Sequence, residues 1–107
     1  MDTIPFEIKN IIDRYLHQLK VNNIRLKRAY LFGSYSKGNF NEYSDIDLAL
    51  ISDFFEGNRM KDREKIRKIT LSVSSHLEVL PFNTEDFTSE NPLAQEIMET
   101  GIELPIN

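Results

Sequence analysis

Apolar residues along the chain gather into short blocks divided by polar, turn-forming breaks. Ile8, Ile11, Ile12, Tyr15, Leu16 and Leu19 recur at i, i+3, i+4, i+7, i+8 and i+11, which predicts one apolar stripe on a helix. Pro5 suits its first turn, Glu7 the positive end of its dipole, and Asn22-Asn23 its stop. Residues 25–32, RLKRAYLF, become more apolar toward Gly33 and predict a strand. SYSKGN predicts a short helix or turn closed at Gly38-Asn39, and NFNEYS a loop. Residues 45–51, DIDLALI, predict a second strand whose apolar second half is buried on both faces.

SDFFEGN reads as a loop, with Phe54 and Phe55 either plugging the core or lying on the surface. From Arg59 to about Ser75 the pattern is helical: Ile66, Ile69, Thr70, Val73 and Leu77 form an inner stripe, and RMKDREKIRK a charged, solvated face. HLEVLPF (76–82) predicts a third strand stopped by Pro81, and NTEDFTSEN a loop. Asn91-Pro92 reads as an N-cap and first-turn proline before a short helix carrying Leu93, Ala94, Ile97 and Met98, ended by Gly101. IELPI is a last strand or an extended tail. Strands alternating with helices predict a single α/β (α+β) domain over residues 1–107, with a small sheet flanked by helices.

Composition narrows the function classes. The chain has 107 residues, 40% of them hydrophobic and 28% charged, enough for one modest core. Seventeen acids against thirteen bases give a formal net charge of −4, which argues against a broad nucleic-acid surface. Nucleotide binding stays open, because bound metal ions can supply positive charge. The absence of cysteine removes thiol chemistry, thiolate zinc sites and disulfides. The acidic N-terminal stretch MDTIPFEIKN does not read as a secretory signal, and no run has the length of a membrane span. The expectation is a soluble cytoplasmic protein.

The chemistry concentrates in GSYSKGNFNEYSDID, residues 33–47. On a strand, Asp45 and Asp47 point to the same face, about 6–7 Å apart. At an effective dielectric of about 20 they repel by roughly 2–3 kcal/mol, a cost that a cation between them offsets. Magnesium prefers such carboxylates together with substrate phosphates. Gly33 at a strand-to-helix turn lets backbone approach a ligand closely, the N–H groups that follow favour an anion, and Ser34 adds a hydroxyl without bulk. Glu78 interrupts an apolar strand. It either lies on the solvent face of an edge strand or, if that strand neighbours DIDLALI, faces the aspartates. Three carboxylates and a polyphosphate are the parts of a two-metal phosphoryl-transfer centre.

Other polar residues read as structural or surface groups. Lys37 is surface, His17 is partly packed beside Leu16, and His76 borders the Glu78 face in a structural or exposed role. Tyr35 and Tyr43 flank the acidic loop, where they either stack on a base or pack.

LFGSYSKGNFNEYSDIDLAL resembles the signature of the DNA polymerase beta-type nucleotidyltransferase superfamily. The chain is more closely similar to the minimal nucleotidyltransferases, small one-domain members often encoded beside HEPN-domain toxins as their antitoxins. The leading helix, the AYLFGS, SDIDLAL and LEVLPF strands and the closing LAQEIMETGIELPI all have counterparts there. The resemblance implies the nucleotidyltransferase fold, with Gly33 and Ser34 holding the β- and γ-phosphates of ATP. Asp45 and Asp47 would ligate two Mg²⁺ ions. Glu78, where the family usually has aspartate, would ligate the catalytic ion and ready the attacking hydroxyl. The implied reaction is in-line attack by a hydroxyl on the α-phosphorus of ATP, releasing pyrophosphate, with a HEPN-type toxin as partner.

Two classes of function follow. One is an enzyme that transfers AMP to a hydroxyl of a partner protein, the chain being too short for a second acceptor-binding lobe. The other is a weakly active or inactive nucleotide-binding antitoxin that neutralises its partner by stoichiometric binding.

Overall fold

The computed structural model describes residues 4–106; Met1–Thr3, part of the acidic N-terminal stretch, lie outside the described residues. The elements run α1 (Phe6–Val21), β1 (Arg28–Phe32), α2 (Ser34–Lys37), β2 (Ile46–Ile51), α3 (Arg59–Val73), β3 (Leu77–Phe82), a 3₁₀ turn (Thr84–Asp86), α4 (Pro92–Thr100) and β4 (Ile102–Glu103). The four strands form one mixed sheet in the order β3-β2-β1-β4. β1 pairs antiparallel with β2 and with β4, and β3 pairs parallel with β2. A parallel pair needs a long crossover, and α3 supplies it.

Strand alternation gives the sheet two faces. Ala29, Leu31, Ile46, Leu48, Leu50, Leu77 and Val79 point into the larger core, where Ile12, Tyr15 and Leu19 of α1 and Ile66 of α3 meet them. Tyr15 and Thr70 share a hydrogen bond of 2.7 Å between their hydroxyls across the α1–α3 contact. Burial pushes the Tyr15 hydroxyl up to about 12. Tyr30, Ala49, Ile51 and Phe82 point the other way and pack against Phe87 and against Ala94 and Ile97 of α4. β2 is therefore covered on both sides, as its continuous apolar run predicts.

Local signals set most boundaries as read. Asn22 ends α1, and Asn23 takes a left-handed φ of 64° beyond it. Asn91 Oδ1 accepts from the N–H groups of Leu93 and Ala94, with Pro92 in the first turn. Gly101 lets the end of α4 press on β1: a Cβ there would lie 2.6 Å from Ile97 O and 3.2 Å from Leu31 O. The closing segment is both a strand and a tail, with two residues paired to β1 and Leu104 buried after them.

Four expectations are corrected. Leu77 does not belong to the inner stripe of α3, which ends at Val73, but opens β3. Pro81 does not stop β3, which runs on to Phe82 opposite Ile51. β3 is an edge strand, where a missing backbone N–H can point away from the neighbour. The face of α3 carrying RMKDREKIRK is not wholly solvated, because Asp62 is completely buried. His17 is exposed rather than packed.

Candidate active site

The site begins where β1 ends. Phe32 stands opposite Asp47 in the antiparallel register, and Gly33 follows it. Gly33 has φ 74° and ψ −145°, a conformation that only glycine adopts at low cost. A Cβ built on Gly33 would collide with Oδ2 of Asp47. Glycine is thus required twice, by the backbone angle and by the carboxylate beside it. The single turn α2 follows and closes at Gly38 in left-handed conformation. Ser36 Oγ and the Lys37 N–H both donate to Gly33 O, at 3.0 and 3.1 Å. Tyr35 is buried and stacks on Phe40 with centroids 4.6 Å apart, which pins the turn to the core. Ser34 is half-buried and Lys37 exposed.

The loop to β2 is organised by its own side chains. Asn41 Oδ1 accepts from the Tyr43 N–H at 2.8 Å, and Ser44 Oγ from the Asn41 N–H at 2.9 Å. Asp45 then precedes β2 and Asp47 lies within it. Ile46 between them is fully buried in the larger core, so alternation turns both aspartates toward the opposite face. Asp45 is exposed and Asp47 half-buried. Glu78 stands directly opposite Asp47 in the parallel β2–β3 register, placing the three acids at one end of one sheet face. Burial first, then the charges of Asp45 and Glu78, raise the Asp47 carboxyl above its ordinary value. Burial and both neighbouring charges disfavour the ionised form.

The donor chemistry fits a hard divalent cation: carboxylate oxygens on neighbouring strands, with mutual repulsion that a cation would relieve. The two aspartates offer such oxygens on one sheet face, whereas Glu78 would have to leave its present partner. Among the described residues, no three acidic or histidine side chains are already gathered to hold an ion. Glu78 Oε1 instead accepts from Arg63 Nη2 at 3.1 Å.

The other sequence candidates stand apart from this corner or serve it structurally. His76 is exposed, and its carbonyl accepts the Ile46 N–H at 2.9 Å, so it contributes through its backbone. Tyr43 is exposed. Phe55 is a core plug and Phe54 a partly exposed ring beneath Lys65. Sequence reasoning missed Arg63 and Asp62. Asp62 had a signal, since it continues the inner stripe of Ile66 and Thr70 at four-residue spacing. Arg63 had none, because its pairing with Glu78 depends on how α3 meets β3.

A model of the nucleotidyltransferase domain matches residues 8–103. A protein of Methanocaldococcus jannaschii, MJ0141, provisionally named as a protein adenylyltransferase, is 36% identical over 56 residues. That match covers 52% of this chain and 54% of the relative, so the chain spans about half the relative's length. Among solved structures, a chain of a toxin–antitoxin complex with AMP-PNP superposes with a TM-score of 0.61 at 24% identity, covering 89% of this chain and 73% of that one. A chain from a mutant of the toxin–antitoxin pair MntA–HpeT superposes with a TM-score of 0.59 at 24% identity, covering 89% and 72%. At that identity the likeness speaks for the fold. Because the domain match takes in both the Gly33 turn and the three acids, the chain belongs to the nucleotidyltransferase domain family.

Proposed function

We propose that the chain transfers the AMP moiety of ATP to a hydroxyl of a partner protein, a HEPN-type toxin, in the cytoplasm. The observation that carries this reading is the corner itself: the Gly33 turn lies against the Asp47 carboxylate, with Asp45 beside it and Glu78 opposite in register. In this reading Gly33 and Ser34 take the β- and γ-phosphates. Asp45 and Asp47 hold two magnesium ions and Glu78 adds a third carboxylate. Magnesium, when bound, supplies the charge that polarises the α-phosphate and lowers the pKa of an attacking hydroxyl. The bond from the acceptor oxygen to the α-phosphorus forms as the bond to the bridging oxygen breaks. Pyrophosphate leaves, and the hydroxyl proton passes to a carboxylate of the site or to water. A protein acceptor is supported by the name of the archaeal relative, and a toxin partner by the toxin–antitoxin neighbours.

One observation favours the second reading, an antitoxin that acts by binding alone: the Glu78 carboxylate is paired with Arg63. A single assay separates the two. The purified chain is incubated with Mg²⁺, ATP labelled at the α-phosphate and the product of the adjacent gene. Label on the partner is expected. Toxin neutralisation without label would favour stoichiometric binding.

A further inference from the structure

Glu78 is in the right place with its carboxylate on the wrong partner. Its backbone stands opposite Asp47, yet its side chain ends on Arg63, 3.1 Å away. Arg63 lies in the second turn of α3, the crossover that delivers β3 to the sheet. β3 is an edge strand, so no further strand separates Glu78 from the side chains of α3. Both partners are half-exposed, at 46% and 53%. An ion pair this exposed contributes little to folding. It is, however, of a size that can bias one carboxylate between two partners.

We infer that Arg63 is a positioning residue that restrains Glu78, so that the third carboxylate joins the site only when a cation bound by Asp45 and Asp47 draws it away. The inference rests on the proposed cation-binding role of the three acids and adds to it a residue outside the acidic set. Three observations meet in it. The register brings Glu78 to Asp47, the observed contact holds its carboxylate on Arg63, and among the described residues no three-acid group is preassembled. A cation that recruits Glu78 must break the Arg63 pair, so removing Arg63 should tighten cation binding.

The test is a titration of the full chain with Mn²⁺, following the electron paramagnetic resonance of the free ion, with and without a non-hydrolysable ATP analogue. Arg63→Gln is expected to lower the Mn²⁺ dissociation constant about two- to five-fold, the range to which an exposed ion pair corresponds. Arg63→Lys keeps the charge and should stay near wild type. Lys61→Gln makes the same charge change on the same helix, and its smaller effect measures the general field. Glu78→Gln should weaken Mn²⁺ binding, and adding Arg63→Gln to it should change nothing beyond the Lys61→Gln effect. Melting temperatures should hold across the Arg63 variants, which a structural role would not allow. An unchanged or weaker constant in Arg63→Gln overturns the inference. So does an equal gain in the Glu78→Gln background, or a Glu78→Gln variant that binds Mn²⁺ as wild type does. A wild-type chain that binds no Mn²⁺ with the analogue overturns the cation reading itself, a separate result.

Discussion

Asp47 and Asp62 are both acids turned toward the interior, and the protein treats them in opposite ways. Asp62 is completely buried and has its charge met on every side. Its two oxygens accept the Glu56 and Gly57 N–H groups at 3.0 Å each, and Lys65 Nζ lies 3.5 Å away. It ties the loop after β2 to the first turns of α3. Asp47 is only half-buried, yet burial, Asp45 and Glu78 all work against its ionised form. Burial alone therefore does not decide whether a carboxylate has its charge met. The informative feature is a carboxylate whose surroundings oppose its charge, because stability alone gives no reason to keep it.

Exchanging each acid for a neutral residue breaks this contrast most directly. Asp47→Asn should reduce AMP transfer about 10³-fold, the scale of losing one electrostatic contact to a transition state. Its melting temperature should equal or exceed that of wild type, since one of three like charges is gone. Transfer assays and thermal melts on the same preparation check both halves; an Asp47→Asn chain that fails to fold would make Asp47 structural. Asp62→Ala should do the reverse, costing about 2–4 kcal/mol by stranding two backbone donors. Asp62→Asn, which keeps one acceptor, should cost less than Asp62→Ala in urea titrations.

Gly33 connects the fold to the unsatisfied acid and sharpens the contrast at a smaller scale. Gly33→Ala should cost about 1–3 kcal/mol through its backbone angle, with a further steric part from the Asp47 carboxylate. Combining it with Asp47→Ala removes the second part only. Double-mutant analysis of the urea midpoints should therefore show a favourable coupling. Simple additivity would mean that the turn moves away from Asp47 at no cost.

The satisfied and unsatisfied regions were not equally legible in the sequence. Helices α1 and α4 announced themselves through periodicity and caps, because the stripe of Ile12, Tyr15 and Leu19 and the Asn91-Pro92 pair act within a few residues. Gly33, Asp45 and Asp47 were legible for the same reason, being one strand–turn–strand unit. Glu78 was legible only as an anomaly in an apolar run, since its position beside Asp47 depends on the β2–β3 register. The Arg63–Glu78 pair and the Asp62 hub were not read. The first joins residues brought together by the packing of α3 on the sheet, and the second was hidden in a run of charges that looked uniformly solvated.

The smallest expected effect is also the one that tests the contrast without reference to catalysis. The Asp47 carboxyl is raised in the folded chain above the ordinary 3.8, so between that value and the raised one the folded state binds more protons than the unfolded state. Stability must then fall as pH rises through this window, because ionising Asp47 is harder in the folded chain. Asp47→Asn lacks this penalty. The melting temperature of Asp47→Asn minus that of wild type should be smallest at acid pH, grow as pH rises past 3.8, and level off once Asp47 is ionised in both states. The gain should be a few degrees at most, since the group is half-exposed and partly screened by solvent. Added salt should shrink the part due to Asp45 and Glu78 and leave the part due to burial, which separates the two causes. Mg²⁺ should reverse the difference, because a cation stabilises the ionised wild type and finds one ligand fewer in the variant. A difference that shrinks with rising pH would mean that the folded chain favours the ionised form of Asp47, and would overturn this account.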